Sequence, residues 1–149
     1  MSFDGRTTER FVAQSAIRDK LHQYALLAKE EADFAAMVPL WVKGGTFTLP
    51  NGHVVGADQI QTIVATGQPN FIRHHITTVG YEFPADDLAY TDTYFIAYTD
   101  IAQPDHWGRW KDRLRRQENG EWLFENKSVI IEGWAKISFW ADLMARLGH

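Results

Sequence analysis

The 149-residue chain contains no cysteine. That excludes disulfides, thiolate nucleophiles, zinc fingers and thiolate-held iron–sulfur clusters. It also lacks an excess of positive charge: 15 Lys+Arg stand against 19 Asp+Glu, a formal net charge of −4. No global basic field therefore draws in a nucleic-acid backbone or an anionic membrane surface. No apolar run approaches the roughly 20 residues of a membrane span. The first residues, MSFDGRTTERF, are acidic and polar where a signal peptide would be apolar. A cytoplasmic location is the expectation. The sequence has no H-E-x-x-H, no H-x-H pair and no Asp-rich calcium loop. It has no G-x-G-x-x-G, no P-loop and no G-x-S-x-G either, so neither a metal nor a cofactor is expected. What the chain does have is rings: nine Phe, six Trp and five Tyr, which suit an aromatic core or a pocket that holds a ring.

Length and composition fit one domain over 1–149, with no repeat and no linker. Ile17, Leu21, Tyr24 and Ala28 recur at i, i+4, i+7 and i+11, which predicts a helix from Thr7 to Ala28 with Tyr24 on its buried face. A second helical piece is expected from Ala32 to Leu40, stopped around Pro39. Thr46–Leu49 reads as a short strand closed by the turn Pro50-Asn51-Gly52, and Ala57–Thr66 as a short helix on the stripe Ile60, Ile63, Val64, ended by Gly67. The period then changes to two. Ile72–Phe83, Leu88–Asp100, Trp107–Gln117 and Glu121–Ile131 form a long antiparallel meander, with Asn119-Gly120 as a hairpin turn. Residues 136–149 return to helical spacing at Ile137, Trp140, Met144 and Leu147. Helices followed by an antiparallel sheet make an α+β domain, and a curved sheet around a helix leaves a conical cavity.

Four stretches together resemble one family. They are Tyr24 on the first helix with Asp33-Phe34 downstream, Phe47–Gly52 followed by Gly56, Arg73-His74-His75-Ile76-Thr77-Thr78, and Gly108–Asp112 with Arg116, Asn119-Gly120 and Trp122. Their order and spacing over about Ala16–Gly133 resemble the SnoaL-like group of the nuclear transport factor 2-like superfamily. The resemblance implies a cone-shaped α+β barrel, with the N-terminal helices packed in a curved antiparallel sheet. Within that group the chain looks most similar to scytalone dehydratase and its relatives. That likeness implies a pocket Tyr at Tyr24, a strand His at His74 and a second His at His106. Three positions depart from the pattern: Lys29 stands where an Asp is usual, Thr78 where an Asn is, and Lys127 where an Arg is.

His74 and His75 are neighbours on a strand, so they point to opposite faces and cannot jointly hold one metal ion. Periodicity favours His75 as buried; the resemblance favours His74 as the cavity-facing ring. A neutral imidazole suits removal of a proton beside a carbonyl, and a carboxylate fixes its tautomer. Asp33 is the candidate orienting carboxylate, with Asp100 as a spare; a helix N-cap is the alternative reading of Asp33. Tyr24 is either a donor to a developing enolate oxygen or a core aromatic. His106 is either a second acid–base group or an exposed loop residue. Trp41, Phe47, Tyr94, Tyr98 and Trp110 are the candidate pocket lining. On Leu88–Asp100, Tyr90, Asp92, Tyr94, Ile96, Tyr98 and Asp100 share one face and Thr91, Thr93, Phe95, Ala97 and Thr99 the other. One face is cavity, and the other is outer surface or a dimer contact. The basic run Arg109, Lys111, Arg113, Arg115 and Arg116 is split by alternation and reads as a solvated or interfacial sheet face, not an RNA site.

The expected function is a cofactor-independent lyase or isomerase, specifically one dehydrating a small cyclic or aromatic hydroxy-ketone. His74 is its base, Tyr24 its electrophilic donor and Asp33 its orienting group. The expected partners are a small apolar substrate and a second copy of the chain, with no nucleic acid and no membrane. The rival readings are a non-catalytic small subunit, which the chain resembles in aromatic-ring dioxygenases, and a small-ligand binding domain.

Overall fold

Four long strands of alternating burial dominate the chain, and one polar helix packs against them. The computed structural model describes residues 5–28, 33–61 and 69–147. In chain order the elements are α1 (Gly5–Leu27), α2 (Phe34–Met37) with a 3-10 turn (Val38–Leu40), β1 (Trp41–Thr48), β2 (Val54–Gly56) and a second 3-10 turn (Ala57–Gln59). Then come β3 (Ile72–Ala85), β4 (Leu88–Thr99), β5 (His106–Arg116), β6 (Trp122–Trp134) and α3 (Phe139–Leu147). One curved six-stranded sheet runs in the order β2-β1-β6-β5-β4-β3. Strands β3 to β6 form the expected antiparallel meander. The sheet is nonetheless mixed, because β1 lies parallel to β6.

Helix α1 lays Ile17, Leu21 and Tyr24 into the concave side of the sheet, where they meet Trp41, Phe95, Trp110, Leu114 and Phe124. Its buried Lys20 reaches out to Glu121 at 2.9 Å, so the cation keeps a partner at the helix–sheet seam. On β4 the inner face is Ala89, Thr91, Thr93, Phe95, Ala97 and Thr99. Side chains converge on the inside of a curved sheet, so small residues fit there. The larger Tyr90, Tyr94, Ile96 and Tyr98 are turned outward.

Several boundaries differ from the expectation. The second helix is only four residues long, because Pro39 falls inside the 3-10 turn that follows it. Strand β1 begins at Trp41, five residues before Thr46. A register shift between those two residues, with Gly44 at φ +76°, hides its alternation. Of the expected third helix the described residues hold the 3-10 turn Ala57–Gln59 and helical Gln61; Ile63, Val64 and Gly67 lie outside them. Ile137 is exposed and precedes α3, because Ser138 starts that helix by accepting from the Trp140 amide at 3.0 Å.

The sheet's shape depends on close backbone approach at Gly108, next to a register shift between β5 and β6. A Cβ at Gly108 would lie 2.0 Å from the Ile130 carbonyl oxygen. Gly108→Ala is therefore expected to lower stability by about 1–3 kcal/mol in chemical denaturation. Gly80→Ala, whose nearest atom is 3.7 Å away, is the control and should stay within about 0.5 kcal/mol of wild type.

Candidate active site

A bulge decides which side chains of β6 face inward. Strict alternation from Trp122 and Phe124 would send Lys127 outward. Instead Asn126 pairs with Arg113 while Phe124 pairs with Leu114, so Glu125 is an extra residue and the parity flips. Lys127 and Val129 then join Trp122 and Phe124 on the buried face. Lys127 Nζ donates to Asp112 Oδ2 at 2.9 Å, with both side chains fully buried. The ammonium also sits 4.0 Å from the Trp110 ring centre, 4.4 Å from Tyr24 and 4.9 Å from Phe124. Burial pulls the Lys127 pKa down and pushes the Asp112 pKa up, and in each case the partner's charge opposes the shift. Burial also raises the Tyr24 pKa, so its phenol keeps its proton. The Tyr24 ring packs edge-on to Trp110 at 5.1 Å and to Trp41 at 6.0 Å.

Trp110 connects this aromatic cage to a second cluster. The His74 ring lies 5.4 Å from Trp110, 5.6 Å from Phe95 and 6.0 Å from His106. His106 in turn lies 5.2 Å from Trp140 of α3. Two imidazoles thus share one aromatic box. His74 bonds to the backbone carbonyl of Ala28 at the end of α1, while its Nδ1 is buried with no hydrogen-bond partner among the described residues. Because the bond to Ala28 leaves Nδ1 as the unpartnered nitrogen, the ring donates from Nε2 and Nδ1 carries a lone pair. Burial, then the fields of His106 and Lys127, lower the His74 pKa to about 3. The ring therefore stays neutral at physiological pH. His106 Nδ1 lies 2.8 Å from Asp105 Oδ1, and both residues are buried. Burial lowers the His106 pKa as well, against the pull of Asp105. A cleft of about 380 Å³ reaches His74 from outside, between His22, Ala25 and Leu26 of α1 and Ile72, His74 and Ile76 of β3.

Of the residues picked out from the sequence, the structure brings Tyr24, Trp41, Trp110, His74 and His106 into one connected interior, with Phe47 in the same core. His75 points outward against Tyr98. Asp33 is not in this group: it is exposed and caps α2 by accepting from the Ala36 amide at 2.9 Å. Asp100 is exposed as well and holds the side chain and backbone of Asn70. Tyr94 and Tyr98 do not line the interior. They are 49% and 39% exposed on the outer face, where Arg109, Lys111, Arg113 and Arg115 of the basic run are also paired with carboxylates. There Arg109 meets Asp92 and Glu132, and Arg115 meets Glu125 and Asp87. Sequence reasoning missed Asp105, Asp112 and Lys127 as members of the interior. Asp105, directly before His106, was the one local signal. Lys29 lies outside the described residues.

The model of the SnoaL-like domain family matches residues 9–127. The chain belongs to the SnoaL-like domain family. No curated protein matches it. Among solved structures it is similar to the hexachlorocyclohexane dehydrochlorinase LinA-type3 of Novosphingobium barchaimii. That match has a TM-score of 0.73 and 13% identity, covering 86% of this chain and 92% of that one. It is also similar to a candidate scytalone dehydratase of Novosphingobium aromaticivorans, with TM-score 0.72 and 16% identity over 87% and 90% of the two chains. A protein of unknown function from Mycobacterium tuberculosis matches with TM-score 0.75 and 18% identity over 98% and 92%. These likenesses show that the SnoaL-like chain has their cone-shaped α+β fold. Proteins related at this distance share a scaffold, and the site must carry the functional argument.

The lowered pKa of His74 predicts how stability depends on pH. The folded chain holds this ring neutral down to about pH 3, whereas an exposed imidazole protonates near 6.5. Between those values the unfolded chain binds the extra proton, so stability falls as the pH is lowered from about 6.5 toward 3. His74→Gln should flatten that decline in urea midpoints measured across the interval.

Proposed function

We propose that this SnoaL-like protein is a cofactor-independent lyase. It removes water from a small cyclic or aromatic hydroxy-ketone through histidine acid–base catalysis. The observation that carries the reading is His74: a neutral imidazole in an aromatic box, reached by a cleft, with a buried Nδ1 that has no partner among the described residues. Leaving such an acceptor without a partner costs about 1–3 kcal/mol. A site that takes a substrate proton has use for it.

In this reading Nδ1 of His74 accepts the proton from the carbon beside the ketone. The electrons of the broken C–H bond form the enolate. The resulting imidazolium sits next to that anion, which raises its pKa from the depressed resting value. It then returns the proton to the departing β-hydroxyl as the C–O bond breaks, so water leaves, a C=C bond remains and His74 is neutral again. Tyr24 keeps its proton across the working range and is the candidate donor to the carbonyl oxygen. The reactions named for two similar structures, a dehydrochlorinase and a candidate dehydratase, are both eliminations and support this class.

The test is a thermal-shift screen of cyclic ketones, phenols and hydroxy-ketones on wild type and His74→Gln, with the absorbance of each hit followed over time. The expected result is a hit whose spectrum changes with wild type and whose turnover falls about 10²–10⁴-fold in the variant. Unchanged turnover in His74→Gln would refute the mechanism. Hits that bind both proteins without chemical change would instead make this a ligand-binding domain.

We also read the outer-face patch of Tyr94, Ile96, Tyr98 and Trp107 as a contact with a second copy of the chain, since a patch of large apolar side chains is rarely left wet. Sedimentation should give a dimer that Tyr94→Glu dissociates. A chain that is monomeric at all concentrations would overturn this, and one that aggregates until a different protein is added would favour the subunit reading.

A further inference from the structure

The hydrogen bonds around Asp105 leave little freedom in where their protons lie. Thr99 Oγ1 accepts from the amides of Ile101 and Ala102, both at 3.1 Å, and its own proton has the Asp105 Oδ2 carboxylate at 2.9 Å as a closer acceptor than the Ala102 carbonyl at 3.4 Å. Ser138 Oγ accepts from the Trp140 amide and donates to Asp105 Oδ1 at 2.5 Å. His106 Nδ1 approaches the same oxygen at 2.8 Å. Burial disfavours a charged Asp105, but the bonds from His106, Ser138 and Thr99 outweigh it and hold the carboxyl below its usual range. A carboxylate is an acceptor only, so His106 must donate from Nδ1 and present Nε2 as its basic nitrogen. The same Asp105 ties three pieces of chain together. Its amide donates to Ala97 of β4 and its carbonyl accepts from Ala135, while Ser138, 33 residues away, begins α3.

We propose that Asp105 is the positioning residue that makes His106 the second base of the site, and that Ser138 couples this setting to the docking of α3. The proposal rests on the lyase reading only for the purpose His106 serves, not for the tautomer itself. Serine and imidazole compete for one oxygen of Asp105. Removing the serine hydroxyl concentrates the carboxylate's charge on His106 and strengthens its imidazolium form. Removing the carboxylate does the reverse. Other titratable groups near the cluster among the described residues include His74 on β3 and, behind it, Lys127 on β6. Neither changes in these variants.

The experiment is long-range proton–nitrogen NMR on ¹⁵N-histidine-labelled full chain, titrated with pH. Wild type should show His106 protonated at Nδ1 and bare at Nε2 at neutral pH. Ser138→Ala should raise the His106 pKa by about half a unit or more, and Ser138→Thr, which keeps a hydroxyl, should restore it. Asp105→Asn should lower the His106 pKa and lose the Nδ1–H preference. If Asp105→Asn does not fold, the Ser138 pair decides alone. His106 protonated at Nε2 in wild type, or a His106 pKa that Ser138→Ala leaves in place, would overturn the proposal. The readout needs no substrate. Absent turnover with the NMR result intact would remove the lyase reading and leave the positioning of His106 standing.

Discussion

An ammonium and a carboxylate taken out of water together repay their desolvation only if their geometry is tight and their remaining faces are occupied. Lys127 and Asp112 meet that condition inside this cone. They touch at 2.9 Å, and the rings of Trp110, Tyr24 and Phe124 surround the ammonium. The pair spans β5 and β6, and its aromatic walls come from α1 and the same two strands. The helix, the sheet and the charge therefore hold one another in register. Removing either ion alone would leave an unpaired charge under α1, a loss of about 3–5 kcal/mol. That is a large share of a domain's whole stability.

The chemistry follows from the same enclosure. Trp110 is common to the cage around Lys127 and to the box around His74, so the field of the ammonium reaches the imidazole. With burial and His106 it keeps His74 neutral. His106 is buried in the same box but has a carboxylate behind it. Two like side chains are thus given different second partners: a backbone carbonyl for one and an ionised Asp105 for the other. Paired titratable groups in contrasting surroundings are how sites divide acid and base roles.

Much of the scaffold was legible because period-two alternation runs nearly unbroken from Ile72 onward. The two faces of β4 were readable; which face was inner was not. Large rings suggested a lining, yet the inside of a curved sheet took the threonines and alanines and left Tyr94 and Tyr98 outside. Lys127 was illegible for a local reason: one extra residue at Glu125 inverts the parity after it. Asp33 carried two readings, and the hydrogen bond to Ala36 shows the cap. Asp105 acquires its meaning from Ser138, 33 residues away, a pairing that no local pattern announces.

The parallel pairing of β1 with β6 also sets an order of assembly. Strand β6 sits between β1 and β5, yet it is the last of the six strands to be synthesised. Until it emerges from the ribosome, β1 and β2 have no link to the meander, and α1 has half a trough to lie in. The buried face of α1, Ile17, Leu21 and Tyr24, waits through about 100 residues of synthesis for Phe124 and Lys127, an interval of seconds at usual translation rates. Contacts this distant in sequence close slowly, because the chain entropy is lost before the contact is gained. A nascent chain of this architecture therefore closes its interior only when its last strand has been made.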